Sequence, residues 1–309
     1  MTLSLAKRGF KVIALDNNFR GSLATIEMHP NISLKSCDIL DRDSVDESIA
    51  GTDIVFHLAA INGTENFYSI PDKVMEVGVI GTHNVVQSAK MQNIRKVVFA
   101  SSSEAYSTPL VIPTPETVEL RIPDVLNPRF SYGGGKLAGE LIVVNYLRGS
   151  GTEFIVFRPH NVIGPQMGFE HVIPQLVGKI FKQWRSLGGM KQTISLEIQG
   201  AGTETRSFID INDAIRAIEI CSLDYPGSGI FHIGTEKECS IFDLVREIGQ
   251  VLGFELKIIT TKVATGSPLR RCPDISKLRS LGFVPRVEFS ATVKKTVQWY
   301  WQYFEKNAK

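Results

Sequence analysis

Tyr132 and Lys136 stand four residues apart in the stretch Ser131-Tyr132-Gly133-Gly134-Gly135-Lys136-Leu137-Ala138-Gly139-Glu140. On a helix that spacing puts both on one face. The apolar run Leu141, Ile142, Val143, Val144 predicts that the helix continues, with Ser131 placed to cap it. A phenol beside an ammonium is a proton-transfer device. Free tyrosine has a pKa of about 10 and is a poor base at neutral pH. A neighbouring cation favours the phenolate and lowers that value. A shift of about three units needs about 4 kcal/mol, which two cations in a partly dry site can supply.

Tyr-x-x-x-Lys alone arises by chance on long helices, so its surroundings decide. Upstream, Arg95 to Ala100 reads as a buried strand running into Ser101-Ser102-Ser103-Glu104. Downstream, Phe154 to Pro159 reads as a second strand entering the turn His160-Asn161. In an open parallel sheet, chemistry gathers at the C-terminal ends of strands. Strand and serine, helix with Tyr and Lys, strand and asparagine in that order make a constellation.

The composition suits this reading. A chain of 309 residues with 43% hydrophobic and 21% charged residues has the profile of a globular α/β protein. A net charge of +2 gives no reason to expect nucleic acid or a membrane as partner. No apolar run reaches the length of a membrane span, and the N-terminus has no signal-peptide layout. Cys37, Cys221, Cys239 and Cys272 are scattered, as are the histidines, so we expect reduced thiols, a cytoplasmic protein and no metal.

With Gly200-x-Gly202-Thr203-x-Thr205-Arg206-Ser207-Phe208, Phe231-His232-Ile233-Gly234 and Arg270-Arg271-Cys272-Pro273-Asp274 added, nearly the whole chain resembles the extended short-chain dehydrogenase/reductase family, in particular its nucleotide-sugar epimerases and dehydratases. The resemblance implies a Rossmann-like doubly wound parallel sheet over residues 1–165 that binds NAD. It implies a smaller, mainly substrate-binding region over 166–309, with segments around 210–234 returning to the main sheet.

Lys11 to Asp16 reads as a strand ending in an acid, and in a dinucleotide-binding unit such an Asp holds the adenosine ribose and disfavours NADP. The Gly-rich fingerprint belongs about 20 residues earlier, which falls before Met1. The first strand and its loop are therefore expected to be lacking, with Leu3 to Gly9 as the tail of the first crossover helix. Ile32 to Ile39 and Asp53 to Ala60 read as further strands, the latter fully buried, with His57 as a satisfied core residue. The resemblance assigns Asp38, Ile39, Leu58, Ala59, Ala60, Ser101 and Pro159 to the cofactor beside Asp16, Tyr132 and Lys136.

Pro71 to Gln92 reads as one long helix, in which Gly78 replaces the family's usual Asn. The proline-rich segment Pro109 to Pro128 is expected to lie over the site. Three successive glycines cost a helix about 1 kcal/mol each, so Gly133 to Gly135 predict a close approach by backbone or ligand, or a frayed first turn.

By the resemblance, Tyr132 takes the proton of the sugar C4 hydroxyl, Ser102 hydrogen-bonds that oxygen, and Lys136 lowers the Tyr132 pKa and holds the nicotinamide ribose. Ser103 and Asn161 would contact substrate, and Arg206 and Arg271 would clamp its diphosphate. This implies a nucleotide-diphosphate-sugar 4-epimerase, expected to be a homodimer. A 4,6-dehydratase or uronate decarboxylase that uses Glu104 is the alternative, weakened because Ser103 stands where the dehydratases carry Asp. From another class, a non-catalytic or truncated nucleotide-binding protein is the rival.

Overall fold

Alternating short strands and helices, each apolar on the side it buries, build the molecule in the computed structural model, which describes residues 1–189, 193–262, 266 and 268–308. The first half runs α1 (Thr2–Lys7), β1 (Val12–Asp16), β2 (Ile32–Ser36), α2 (Arg42–Ile49), β3 (Ile54–His57), α3 (Thr64–Ser69), α4 (Pro71–Glu76), α5 (Thr82–Met91), β4 (Lys96–Ala100), α6 (Ser131–Leu147) and β5 (Glu153–Pro159). The second half runs β6 (Val162–Ile163), α7 (Val172–Ser186), β7 (Ile194–Gln199), β8 (Thr205–Ser207), β9 (Ile209–Asp210), α8 (Ile211–Glu219) and β10 (Gly229–Ile233). It ends with β11 (Glu238–Ser240), α9 (Ile241–Leu252), β12 (Leu256–Thr261), β13 (Arg270–Arg271), α10 (Ser276–Arg279) and α11 (Phe289–Asn307). No helix among the described residues is long and apolar enough to cross a membrane.

The central parallel sheet is in two pieces. One has the order β10-β5-β4-β3 and the other is the pair β1-β2. Among the described residues β1 pairs only with β2 and β3 only with β4, so each keeps an open edge. Both pieces rest on the same layer: Leu15 and Ile39 from one side and Val55 from the other pack on Val85, Val86, Phe99 and Val143. The open edge corrects one expectation. β3 is not fully buried: Ile54, Val55 and Phe56 are partly exposed and His57 alone is buried, because no strand covers that flank.

Helix ends follow local chemistry. Asp41 caps α2 by accepting from the Ser44 amide at 3.1 Å. Asp210 caps α8 through the Asn212 amide at 2.7 Å. Ser240 caps α9, and Gly253 ends it in the left-handed conformation at φ 72°. Ser131 does not cap α6. It lies inside the first turn with its hydroxyl buried and unpaired among the described residues. The chain enters through a turn over Pro128–Phe130 that Asn127 caps instead.

α7 carries Ile173, Leu176, Val177, Ile180 and Phe181 at the spacing of one helical face, and all are buried. They meet Val293, Val297 and Tyr300 of α11 and Leu244, Val245 and Ile248 of α9 in one cluster. Trp299 and Trp301 pack against this cluster. The long helix predicted over 71–92 is α4 and α5 joined by a wider π-helical turn, Val77–Gly81.

Candidate active site

Four pieces of chain meet around the cavity that Tyr132 lines. α6 carries Tyr132 and Lys136 on one face, Lys136 buried and Tyr132 partly buried. The turn after β4 brings Ser102, whose Oγ accepts from the Glu104 amide at 3.1 Å and so caps the short helix Ser103–Tyr106. β5 ends at Pro159, with Asn161 two residues beyond it. α3 supplies Phe67, whose ring stacks on Tyr132 at 5.1 Å between centroids and 12° between planes. Together they wall a cavity of about 490 Å³ that also touches Ser103, Glu104, Arg129, Arg206 and Arg271.

The glycine run is a close backbone approach. A Cβ on Gly133 would lie 2.8 Å from the Glu104 carbonyl oxygen. Gly78 and Gly135 meet across the helix pair, with a Cβ on Gly78 only 3.4 Å from the Gly135 Cα. The helix carrying Tyr132 is thereby pressed against the turn carrying Ser102.

The Lys136 ammonium is not bonded to Tyr132. It donates to the Ala100 carbonyl at 2.7 Å and lies over the Phe99 and Tyr132 rings at 5.0 and 5.6 Å. Burial pulls its pKa down to about 8, with the Glu140 carboxylate working against that. Tyr132 departs from the expected lowering: burial pushes it up to about 12, opposed by the Ser102 hydroxyl beside it and aided by the Glu104 charge. A buried phenol without a second cation at its oxygen stays protonated.

Glu104 is partly buried and sits 2.5 Å from Arg271 Nη1. Burial works to raise its carboxyl, but Arg271, then Arg129 and Arg206, hold it below the usual carboxylate range. Arg206 is pulled down to about 10 by burial and by Arg271 next to it. Arg206 donates to the Thr205 carbonyl at 2.8 Å. Asn161 has φ 35° and donates its amide to the Ser207 carbonyl at 2.9 Å, tying β5 to β8 at the cavity wall. The proline-rich segment does not line the cavity among the described residues. It packs at the back, where the Arg121 amide donates to Ala105 at 3.1 Å and the Thr114 amide to Cys272 at 2.8 Å. His57 is pulled down to about 3 by burial and then by Lys136, and its Nε2 meets Thr82 Oγ1 at 3.0 Å.

The residues past β1, β2 and β3 are of types that would suit the adenosine half of a dinucleotide. Asp16 closes β1 and Asp38 follows β2, bridged by Asn17, whose amide donates to Asp38 at 3.0 Å. Leu58 and Ala59 are exposed past β3 and Ala60 is partly exposed. Ile39 packs on Gly81 rather than standing free. Ser101 is buried, with its hydroxyl donated to Glu140 at 2.5 Å. No Gly-rich turn precedes β1 among the described residues.

Sequence reasoning missed Phe67 and Arg129, which no motif marks. It also missed the Glu104–Arg271 pair, whose members are 167 residues apart.

A model described as the NAD dependent epimerase/dehydratase family matches residues 1–234. A Methanocaldococcus jannaschii protein, provisionally described as a UDP-glucose 4-epimerase, is 31% identical over 301 residues, spanning 96% of this chain and 92% of its own. A Bacillus cytotoxicus UDP-N-acetyl-alpha-D-glucosaminuronate decarboxylase is 31% identical over 310 residues, with the same shares of 96% and 92%. Among solved structures, a UDP-galactose 4-epimerase superposes with a TM-score of 0.81 at 25% identity, over 98% of this chain and 94% of that one.

Proposed function

We propose that this chain, which belongs to the NAD-dependent epimerase/dehydratase family, is a nucleotide-diphosphate-sugar 4-epimerase that works through a transient 4-keto sugar. The observation that carries this reading is the cavity itself. Tyr132 and Ser102 line it together with Arg129, Arg206 and Arg271, and its volume has room for a sugar and its phosphates. Related proteins act on UDP-sugars, so the substrate is a UDP-sugar.

Bound NAD supplies the hydride acceptor and, in the second half-reaction, the donor. Asp16, Asp38, Leu58, Ala59 and Ala60 would hold its adenosine half, and Lys136 its nicotinamide ribose. Ser102 donates to the sugar C4 oxygen and orients it. Tyr132 takes that hydroxyl's proton and later returns it. The protonated Lys136, beside the Tyr132 ring, lowers the cost of the phenolate. Arg206 and Arg271 supply the positive charge that holds the diphosphate. The sugar must present its other face before it is reduced again, and the size of the cavity allows that turn.

Glu104 supports a second reading. A carboxylate facing three guanidinium groups is also an arrangement that can bind the acid of a uronate sugar and release carbon dioxide. We rank it second because Glu104 is held ionised by Arg271 and is not a ready proton donor. Exposed Met75, Ile80, Leu141 and Tyr146 on or beside α4 to α6 support a homodimer, and four unpaired cysteines support a reducing, cytoplasmic setting.

The test is to incubate the chain with NAD and a panel of UDP-hexoses and UDP-uronates and follow products by NMR. A C4-epimer of a supplied sugar supports the first reading. A pentose product with carbon dioxide supports the second. Neither product, with NAD bound, would overturn both.

A further inference from the structure

Glu140 lies one turn after Lys136 and two turns after Tyr132 on α6, and it is 5% exposed. Its Oε1 accepts from Ser101 Oγ at 2.5 Å and from Arg158 Nε at 2.8 Å, and its Oε2 from Arg158 Nη2 at 2.6 Å. Arg158, on β5, is 4% exposed. Its remaining nitrogen donates to the Glu116 carbonyl at 2.9 Å and to the Tyr106 hydroxyl. Tyr106 in turn meets His232 Nε2 of β10 at 2.8 Å. One carboxylate thus joins α6 to the end of β4, to β5, to the turn that carries Ser102, and through them to β10.

A buried ion pair is a poor way to gain stability. Desolvation costs several kcal/mol per ion, and an apolar pair of similar volume often does as well or better. Here the pair sits beside the proton-transfer residues. Ser101 follows Ala100, whose carbonyl receives the Lys136 ammonium. The carboxylate that anchors Ser101 therefore also sets the height of the Lys136 acceptor.

We propose that Glu140, clamped by Arg158 and Ser101, is a positioning residue for the Tyr132/Lys136 pair: it fixes α6 against β4 and supplies the counter-charge to the Lys136 ammonium. The inference rests on the role given above to Tyr132 and Lys136. The groups facing Lys136 are few. His57 comes from β3 and is neutral, Tyr132 lies on the same helix and is neutral, and Glu140 is the carboxylate that opposes the effect of burial. Without that charge, burial acts on Lys136 unopposed. At neutral pH more of it becomes an amine, which neither favours the phenolate nor holds a ribose hydroxyl as strongly.

The experiment reads Lys136 directly, apart from turnover. The rate of Lys136 acetylation by acetic anhydride is followed against pH by peptide mass spectrometry, in the native chain, in Glu140→Gln and in the double variant Glu140→Gln with Arg158→Met. The double variant leaves no lone buried guanidinium, so it folds where the single variant fails. We expect the Lys136 titration to fall by about one unit in the variants, raising its reactivity at pH 7 about fivefold. The alkaline limb of the turnover profile should move the same way, with kcat reduced and KM little changed. A folded variant in which the Lys136 titration stays put overturns the inference. A shifted titration in a chain that turns over no nucleotide sugar sustains it and overturns the proposed function instead.

Discussion

Gly133 and Glu104 are in backbone contact: a Cβ on Gly133 would stand 2.8 Å from the Glu104 carbonyl oxygen. That carbonyl belongs to the turn that presents Ser102 and Glu104 to the cavity. Neither side can give way as a flexible side chain would. The reach from Ser102 to Tyr132 is thus set by the absence of a side chain.

Gly133→Ala should force the turn away from α6 and cost about 1–3 kcal/mol, as overpacking does, with activity falling further than stability. Gly78→Ala is the control. Its Cβ makes an ordinary contact at 3.4 Å with Gly135, and its helix propensity is better by about 1 kcal/mol. Urea denaturation of both variants checks the contrast.

Removing the Tyr132 hydroxyl should remove the chemistry and leave the fold. Tyr132→Phe keeps the stack on Phe67 but has no group to accept the C4 proton. Turnover should drop by about 10²–10⁴, the usual contribution of a positioned acid–base group, while NAD binding and the melting temperature stay close to native. Residual turnover near the native rate would place the base elsewhere.

Lys136 is held at a cost that pH can reveal. Its pKa falls from 10.5 in the unfolded chain to about 8 when folded. Between those values the unfolded chain binds more protons, so native stability rises with pH through that window. Below pH 8 the folded chain carries the whole penalty. Lys136→Met should therefore be more stable than the native chain at pH 7, by about 1–3 kcal/mol after loss of the bond to Ala100, and inactive. By pH 10 the advantage should have shrunk. An advantage that grows with pH would contradict this account.

Asp16 is partly exposed at the end of β1, where a carboxylate would repel a 2′-phosphate. Asp16→Asn should bring the NADP affinity closer to that of NAD by about tenfold, or 1.4 kcal/mol, measured as the ratio of Kd values by calorimetry. An unchanged ratio would remove Asp16 from the cofactor site.

Local spacing was enough for much of this protein. Tyr132 and Lys136 share a face because a helix repeats every few residues, and that is decided within one turn. Asp210 caps α8, and Gly229 to Ile233 returns to the sheet beside β5, for reasons written in neighbouring residues: a side chain that reaches its own backbone and an apolar run bounded by glycines.

Other features depend on partners far away in the chain. Glu104 meets Arg271 across 167 residues, and Tyr106 meets His232 across 126. No periodicity links such pairs, because contact there is created by strand order. Tertiary contacts also decided that Asn127 and not Ser131 caps the entry to α6, that Gly78 serves a close helix approach, and that burial outweighs the neighbouring ammonium at Tyr132. Residue types and short spacings determine which chemistry the chain carries. The packing of distant segments into a dry, charged cavity determines the protonation states in which that chemistry starts, because desolvation is a property of the whole fold.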